Sequence, residues 1–332
     1  MAGFLLLSVA FVLLLGYLGA SVLGIATAPV GSVIVGILVV VGLAAALGFA
    51  FRSIRRAGRP LDRLIDAAGR VEAGDYSVRV PEDGPSDIRS LERAFNGMSA
   101  RLEAGDRARR TFLADVSHEL RTPLTVIRGQ LEAIADGVYP ADPAHLEPVL
   151  AQTAALERLV EDLRTVALAE AGALPLHREP VDLAALAAAV ASDLAAPALD
   201  AGVTLVAEPP PAGADLPPIA ADPALLRRVL VNLVTNALRH TPAGGSIHLT
   251  ASTPDPAHRR LAVADTGSGI APDLLPHVFE RFAKGPDSDG TGLGLAIARD
   301  IVVAHGGTIA AESVPGAGTR IVIELPVAPG AA

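Results

Sequence analysis

Residues 117–124 read Ser-His-Glu-Leu-Arg-Thr-Pro-Leu, and they lie in a stretch whose apolar residues recur every three or four positions. This spacing predicts an amphipathic helix. Its apolar stripe consists of Leu113, Val116, Leu120, Leu124, Ile127, Leu131 and Ile134. At about 100° per residue, His118 lies about 200° from Val116 and Leu120, so we expect an imidazole that faces outward. Position alone leaves open a histidine that is merely solvated.

A second apolar stripe follows a turn rich in glycine and proline at residues 137–143. Its members are Leu146, Val149, Thr153, Leu156, Val160, Leu163 and Ala167. Two helices of about 25 residues joined by a short turn form an antiparallel hairpin. Such a hairpin cannot bury both apolar faces alone, so we expect two copies to pair in a four-helix bundle. The sequence therefore predicts a homodimer.

The first 51 residues contain no Asp, Glu, Lys or Arg. One membrane crossing needs roughly 20 apolar residues, so this segment predicts two transmembrane helices, near residues 4–23 and 32–51. Arg52, Arg55, Arg56 and Arg59 follow directly, and a basic cluster marks the cytoplasmic side of a span. A signal peptide cleaved after residues 26–28 is the alternative. In both cases we expect no external ligand-binding domain.

Two short helical patterns flank a connector after the arginines. The first pattern consists of Leu61, Leu64, Ile65 and Ala68. The second pattern consists of Ile88, Leu91, Phe95, Met98 and Leu102. Gly74 and Pro81 punctuate the connector between them. The spacing predicts a helix, a connector and a second helix, with an ordinary helical hairpin as the alternative.

Strand and helix patterns alternate beyond residue 180. The predicted order is helix 183–199, strand 203–206, helix 223–239, strands 246–251 and 260–265, helix 293–305, and strands 308–313 and 319–325. This order fits an α/β sandwich with the helices on one face of the sheet.

A polar ridge runs along the predicted helix 223–239. Asn232, Asn236 and Arg239 recur at i, i+4 and i+7, opposite the apolar face. Amide oxygens and a cation on one ridge suit Mg²⁺ and phosphate, because Mg²⁺ takes oxygen ligands and keeps substrate phosphate in its shell. Taken alone, a polar ridge is more often simply solvated.

Two glycine-rich segments accompany the predicted strands and helices. Asp265 ends an alternating strand, and Gly267 and Gly269 permit turns that a Cβ would block, which leaves the carboxylate to accept a base amine. Residues 290–294 read Gly-Thr-Gly-Leu-Gly before a helix, where exposed N–H groups suit a phosphate. This second segment follows a polar loop rather than a strand, which argues against a Rossmann dinucleotide site.

The composition excludes several other classes of protein. The absence of cysteine rules out a disulfide framework, a thiolate zinc site and a cysteine nucleophile. A net charge of −9 argues against a direct nucleic-acid partner, because phosphate binding rests on dense Lys and Arg. The P-loop motif and the motifs of serine, threonine and tyrosine kinases do not occur in the sequence.

Residues 117–124 resemble the phospho-acceptor box of sensor histidine kinases, and the preceding linker resembles a HAMP domain. The C-terminal segment is similar to the ATP-binding domain that these kinases share with gyrase, Hsp90 and mismatch-repair ATPases. Its motifs follow the family order: an asparagine box at 232–240, a glycine box at 265–269, a phenylalanine box at 279–282, a second glycine box at 290–294 and a late glycine segment at 316–319. The resemblance covers about residues 52–325.

For the phospho-acceptor helix, the resemblance implies three roles. His118 attacks the γ-phosphorus of ATP, and Glu119 holds and deprotonates its ring. Thr122 positions the water that removes the phosphoryl group from a partner protein. A carboxylate that accepts the other ring N–H raises the basicity of the imidazole, which fits these residue types.

For the ATP-binding domain, the resemblance implies that Asn236 binds Mg²⁺ with Asn232 beside it and that Arg239 contacts phosphate. His240 lies by the adenine, and Asp265 accepts the exocyclic amine. A mobile lid extends over residues 284–291. The remaining nucleotide contacts that it implies are Gly267, Gly269, Lys284, Gly290, Thr291, Gly292, Leu293 and Gly294.

The predicted organisation is a multi-domain chain with a transmembrane hairpin at 1–51, a HAMP-type linker at 52–105, a dimerisation and phosphotransfer hairpin at 106–172, and an α/β ATP-binding domain at 180–328. The resemblance implies a histidine kinase of the bacterial plasma membrane with cytoplasmic kinase domains. It autophosphorylates with ATP and Mg²⁺ and passes the phosphoryl group to the receiver domain of a response regulator. Membrane lipid or a partner membrane protein is the expected input.

Two other functional classes remain as alternatives. One is a nucleotide-binding adaptor without kinase activity, and the other is a conformational ATPase of the gyrase or Hsp90 kind. The sequence leaves open whether phosphorylation runs within or between subunits.

Overall fold

The computed structural model describes residues 9, 11–12, 15–16, 19–20, 29–83, 86–210, 216–284 and 291–327, with only the backbone for residues 29–35, 37, 40 and 53–60. The chain divides into two compact units, Met1–Thr111 and Phe112–Ala332. The first predicted membrane helix, residues 4–23, lies outside the described residues except at isolated positions.

The first unit contains one long helix, α1 (Pro29–Glu72). The second predicted membrane helix, 32–51, and the helical pattern that begins at Leu61 belong to this one helix, since the backbone stays helical through Gly58 and Pro60. Arginine is a good helix former, and the four arginines of this stretch favour continuity. No helix in the described part of the chain has both the length and the hydropathy needed to cross a membrane.

A connector runs from α1 to the start of α2 (Ser86–Ala135). A small apolar core holds this part of the unit together; it consists of Leu64, Ala67, Val78, Val80 and Phe95. Asn96 fixes the connector, because its side chain accepts a hydrogen bond from the N–H of Val80 and donates one to its carbonyl, both at 2.9 Å. The predicted order of helix, connector and helix is therefore confirmed.

The helical hairpin consists of α2 and α3 (Pro143–Glu170). The first helix, α2, is longer than predicted. Its 50 residues join the second helical pattern of the linker to the first apolar stripe of the hairpin without a break. Asp142 caps α3 by accepting from the N–H of His145 at 3.1 Å, and Pro143 takes the first helical position, where a missing N–H has no cost.

The C-terminal domain contains a five-stranded sheet. Its strands are β2 (Thr204–Ala207), β4 (Ser246–Asp255), β5 (His258–Asp265), β6 (Thr308–Val314) and β7 (Gly318–Pro326). They lie in the order β2-β4-β5-β7-β6, with β2 and β4 parallel and the other pairs antiparallel. Asp265 lies opposite Thr319 at the end of this ladder.

Helices cover one face of the sheet. They are α4 (Leu183–Asp193), α5 (Ala195–Asp200), α6 (Pro223–His240) and α7 (Gly294–Ala304). The apolar face of α6 is fully buried, and Leu159 and Val166 of the hairpin join the same core. The α/β sandwich with its helical hairpin is therefore confirmed.

Two details of this domain differ from the prediction. The single helix expected at 183–199 is two helices, because Pro197 lacks an N–H and its ring crowds the carbonyl of Asp193 one turn earlier. A small antiparallel sheet of β1 (Glu179–Val181) and β3 (Ile219–Ala221) was not predicted. Three-residue strands are too short to show a period of two.

Candidate functional site

Asp265 is held at the end of β5 by two backbone groups. Its Oδ1 accepts hydrogen bonds from the N–H of Gly267 at 2.8 Å and of Thr319 at 3.2 Å. Burial raises the pKa of this carboxyl, although the two hydrogen bonds act in the opposite direction. Because both contacts use Oδ1, the other carboxylate oxygen is available to an amine.

The first glycine segment is packed too closely for any side chain. A Cβ at Gly267 would lie 2.5 Å from the carbonyl oxygen of His240, and one at Gly269 would meet the carbonyl oxygen of Val314. The N–H of Ser268 donates to that His240 carbonyl at 3.1 Å. His240 thus supports the loop through its backbone, while its ring is exposed.

The polar ridge of α6 borders a cavity of about 410 Å³. The predicted residues that line it are Asn232, Asn236, Arg239, Thr291, Gly292 and Gly294. Asn232 also donates a hydrogen bond to the carbonyl of Gly294 at 3.2 Å, so it fixes the start of α7. The opposite wall comes from α3 of the hairpin, with Arg158 and Asp162.

The second glycine segment is fixed by the phenylalanine box. Gly292 has a φ of +70°, and a Cβ there would lie 2.6 Å from the Cα of Phe282. Phe282, itself at a φ of 59°, donates its N–H to the carbonyl of Gly292 at 2.9 Å. Leu293 is completely buried in the core, so its side chain faces away from the cavity. Gly290 lies outside the described residues.

The phospho-acceptor segment lies on α2 with the side chain of His118 exposed. Thr122 follows one turn later, and its hydroxyl donates to the carbonyl of His118 at 3.3 Å. Pro123 continues the helix without an N–H for the carbonyl of Glu119.

Lys284 lies against the phospho-acceptor helix. Its Nζ lies 2.8 Å from Oε1 of Glu119, the residue next to His118. The resemblance implied a nucleotide contact for this lysine, and the structure shows in addition a carboxylate partner on the phospho-acceptor helix. The two residues are 165 positions apart, so no spacing argument could have paired them.

Further contacts between the hairpin and the ATP-binding domain were also missed. The rings of Phe112 and Phe282 lie 5.9 Å apart, and Arg281 pairs with Glu170. Arg228 of α6 donates to Asp162 at 2.6 Å and to Thr165 at 2.7 Å. The phenylalanine box could be identified in the sequence, but no motif or spacing identified its partners on the hairpin.

The chain matches three family models. Residues 52–104 match the HAMP domain, and residues 108–172 match the His Kinase A (phospho-acceptor) domain. Residues 221–329 match the histidine kinase-, DNA gyrase B- and HSP90-like ATPase.

Two curated proteins and one solved structure are similar to the chain. It is 37% identical to the signal transduction histidine-protein kinase BaeS of Escherichia coli (strain K12), over 81% of this chain and 57% of BaeS. It is 39% identical to the probable sensor histidine kinase TcrY of Mycobacterium tuberculosis (strain H37Rv), over 89% of this chain and 66% of TcrY. The chain therefore spans 57% to 66% of the length of these relatives.

The solved structure is that of the histidine kinase AdeS of Acinetobacter baumannii. It superposes with a TM-score of 0.55 at 30% identity, and the match covers 64% of this chain and 98% of that one.

Proposed function

The chain belongs to the sensor histidine kinases, and we propose from that premise that it phosphorylates His118 with ATP and passes the phosphoryl group to an aspartate of a response regulator. One observation carries the proposal: Lys284, beside the cavity of α6, touches Glu119, the neighbour of His118. The same compact unit thus contains both a nucleotide-sized cavity and the acceptor helix.

The charges around the cavity suit a triphosphate. Arg158 and Arg239 both line it, and neither has a carboxylate partner among the described residues. The helix α7 begins at Gly294 without a side-chain cap, so its first N–H groups can also face an anion. Asp162, the carboxylate on this wall, is occupied by Arg228. An excess of cationic groups in one cavity favours a polyanion.

Asp265 is proposed to select adenine. Its free carboxylate oxygen can accept the exocyclic amine, and the loop that follows it is held in place by the close packing of Gly267 and Gly269 against neighbouring backbone. The backbone carbonyl of His240 lies beside Gly267, two positions after Asp265, and the ring of His240 is exposed. We propose that it lies beside the base.

Asn236 is proposed to hold Mg²⁺ on the cavity wall. Among the described residues no group of three His, Asp or Glu side chains could bind a metal, and Mg²⁺ needs only one or two protein oxygens when phosphate supplies the others. When bound, Mg²⁺ neutralises the charge of the transferred phosphoryl group.

His118 is proposed as the nucleophile. One ring nitrogen forms a bond to the γ-phosphorus, the bond to the bridging oxygen breaks, and ADP leaves with that electron pair. The proton on the other ring nitrogen passes to the carboxylate of Glu119. Exposure of His118 on α2 gives both the nucleotide and a receiver domain access to the ring.

Thr122 is proposed to act in a second reaction, the dephosphorylation of the response regulator, by positioning the water that removes the phosphoryl group. Its hydroxyl lies one helical turn from the phosphorylated ring, on the same side of α2. Replacing Thr122 by alanine should reduce this phosphatase activity and leave phosphohistidine formation unchanged.

A homodimer is proposed through the hairpin. Leu113, Leu124 and Leu131 of the predicted stripe are 46% to 53% exposed in the single chain. A groove lined by Leu120, Leu124, Ile127 and Leu131 follows the same face of α2. Pairing with a second copy would bury this apolar surface.

We also propose that residues 1–51 anchor the chain in the bacterial plasma membrane and receive the input, with the other domains in the cytoplasm. The support is the absence of charge in this segment and its exposed apolar side chains, including Leu38, Leu47 and Phe51. The domain boundaries proposed are those given by the sequence: 52–105, 106–172 and 180–328.

The test is to incubate the full chain in lipid nanodiscs with γ-labelled ATP and Mg²⁺, beside a His118→Gln variant. The expected result is protein-bound label that survives base but not acid and is absent from the variant. Free phosphate without labelled protein would support the ATPase instead. Bound nucleotide without either product would support the adaptor.

A further inference from the structure

Lys284 and Glu119 form an ion pair that is largely shielded from solvent. Nζ lies 2.8 Å from Oε1, and the side chains are 28% and 23% exposed. In the described part of the chain neither side chain has another hydrogen bond or ion pair. Glu119 makes no hydrogen bond there to the ring of His118, although the proposed function requires this carboxylate to accept the ring proton.

The residues just before Lys284 contact both the second glycine segment and the helical hairpin. Phe282 is bound to Gly292 by its N–H, and its ring packs against Phe112 of α2. Arg281 pairs with Glu170 at the end of α3. These contacts hold the backbone just before Lys284, so rotation of its flexible four-carbon side chain is the simplest way for it to change partner.

Lys284 also stands at the edge of the cavity. Ala283, the residue before it, lines the cavity, as does Gly292. The stem of Lys284 passes over Gly292, since a Cβ on that glycine would lie 3.2 Å from the lysine Cγ. A lysine has a flexible four-carbon stem with a compact charge at its tip. The same ammonium can therefore face either Glu119 or an anion in the cavity.

We propose, on the basis of the proposed function, that Lys284 is a positioning residue with two alternative anionic partners: Glu119 without nucleotide, and the phosphate oxygens when nucleotide is bound. A triphosphate carries several negative charges and attracts the ammonium more strongly than one carboxylate does. When Lys284 turns to the phosphates, Glu119 becomes available to the ring of His118. Nucleotide binding thus prepares the proton acceptor that the transfer needs.

Lys284 is the only lysine in the sequence, which gives a direct measurement. The full chain in nanodiscs is treated with N-acetoxysuccinimide, and acetylation of Lys284 is followed by peptide mass spectrometry. An amine held in an ion pair must leave its partner before it can attack the reagent, so the ion pair slows the reaction. The proteins compared are the wild type, Glu119→Gln and the control Glu132→Gln, whose carboxylate pairs with Arg128 on the same helix.

Without nucleotide, Lys284 should react roughly tenfold faster in Glu119→Gln than in the wild type, the scale of one charge-assisted hydrogen bond. Glu132→Gln should react like the wild type. With saturating AMPPNP and Mg²⁺ the wild type and Glu119→Gln should react equally slowly, because phosphate protects the amine in both. Adenosine, which has no phosphate, should leave the tenfold difference in place.

Equal rates in the wild type and Glu119→Gln without nucleotide would overturn the pairing. A difference that persists in protein shown by calorimetry to hold AMPPNP would overturn the exchange of partners. Glu119→Asp keeps the charge on a shorter side chain and should give an intermediate rate. Phosphohistidine is measured in parallel, so loss of the proposed kinase activity with an intact exchange would contradict only the proposed function.

Discussion

The backbone N–H of Asp222 donates a hydrogen bond to Nε2 of His305 at 3.0 Å, across 83 positions of sequence. Nδ1 of His305 lies 2.8 Å from the carbonyl oxygen of Ile301, which can only accept, so the ring proton is on Nδ1. The carboxylate of Asp222 caps α6 by accepting a hydrogen bond from the backbone N–H of Leu225 at 3.0 Å. It also accepts one from the backbone N–H of His177 at 2.9 Å. A neutral His305 therefore ties the start of α6 to the end of α7.

This link predicts a loss of stability in mild acid. Burial lowers the pKa of His305, so the unfolded chain binds a proton that the folded chain does not. The free energy of unfolding should fall as the pH drops below about 6.5, by up to about 1.4 kcal/mol per pH unit for this group. Urea unfolding followed by circular dichroism between about pH 7.5 and about pH 5.5 measures the slope.

His305→Gln is the control for that slope. Glutamine offers an acceptor and a donor in place of the two ring nitrogens but does not titrate. The variant should therefore lose less stability over the same pH range than the wild type. An equal slope in both proteins would assign the effect to other groups.

Gly318 and Gly316 provide a matched pair for testing the support of Asp265. Both have a positive φ, +108° and +78°, but only at Gly318 would a Cβ collide with the carbonyl oxygen of Asp265. We expect Gly318→Ala to cost about 2–4 kcal/mol of unfolding free energy and Gly316→Ala about 1 kcal/mol. The second variant costs less because alanine there has backbone strain from the positive φ but no collision. Calorimetric titration with adenosine should show weakened binding in Gly318→Ala alone. Similar losses of unfolding free energy in both variants would contradict this prediction, because they would show that the backbone at Gly318 shifts and avoids the collision.

Arg158 and Arg239, which line the cavity, should affect the binding of phosphate and not that of adenine. Arg158→Gln and Arg239→Gln are each expected to weaken ATP binding roughly tenfold, as one lost charge-assisted hydrogen bond would, while adenosine binding stays constant. Arg164→Gln is the control, because this arginine is on α3 outside the cavity and pairs with Glu161 at 3.7 Å. Parallel titrations with ATP and adenosine give the comparison. Weaker adenosine binding in either cavity variant would contradict a phosphate-specific role.

The pair of Arg228 and Asp162 should contribute to the packing of the hairpin on the ATP-binding domain. Both side chains are 23% exposed, against 45% and 49% for the neighbouring pair of Arg227 and Asp193. A double-mutant cycle of Arg228→Gln and Asp162→Asn should give a coupling energy of roughly 1–2 kcal/mol. The cycle of Arg227→Gln with Asp193→Asn should give less than about 1 kcal/mol. A larger coupling in the exposed pair would reverse this assignment.

The regular elements of the C-terminal domain could be predicted because their apolar periods are unbroken. The buried face of α6 repeats at helical spacing, and Asp222-Pro223 marks its start. Gly267 and Gly269 were also predicted as turn positions, and a Cβ at each would collide with neighbouring backbone.

Contacts between distant segments could not be predicted. Lys284 lies in a polar loop, and nothing in its own surroundings identifies Glu119 as its partner. The same holds for Phe112, whose ring meets Phe282 only when the hairpin and the domain are folded together. Local periodicity determines which face of an element is buried, but the residue that meets it depends on the tertiary arrangement.

The position of β7 in the sheet has a consequence for synthesis of the chain. It is the last strand to leave the ribosome, yet it lies between β5 and β6 and pairs with both. Until it is added, β5 exposes an unpaired edge and β6 has no partner in the sheet, so a nascent chain that ends before Gly318 presents two open edges to other chains. The N–H of Thr319 also belongs to this strand, so Asp265 receives its second hydrogen bond only when translation has passed the sheet's last member. The Asp265 end of the sheet is therefore completed only by the strand of this sheet that is synthesised last.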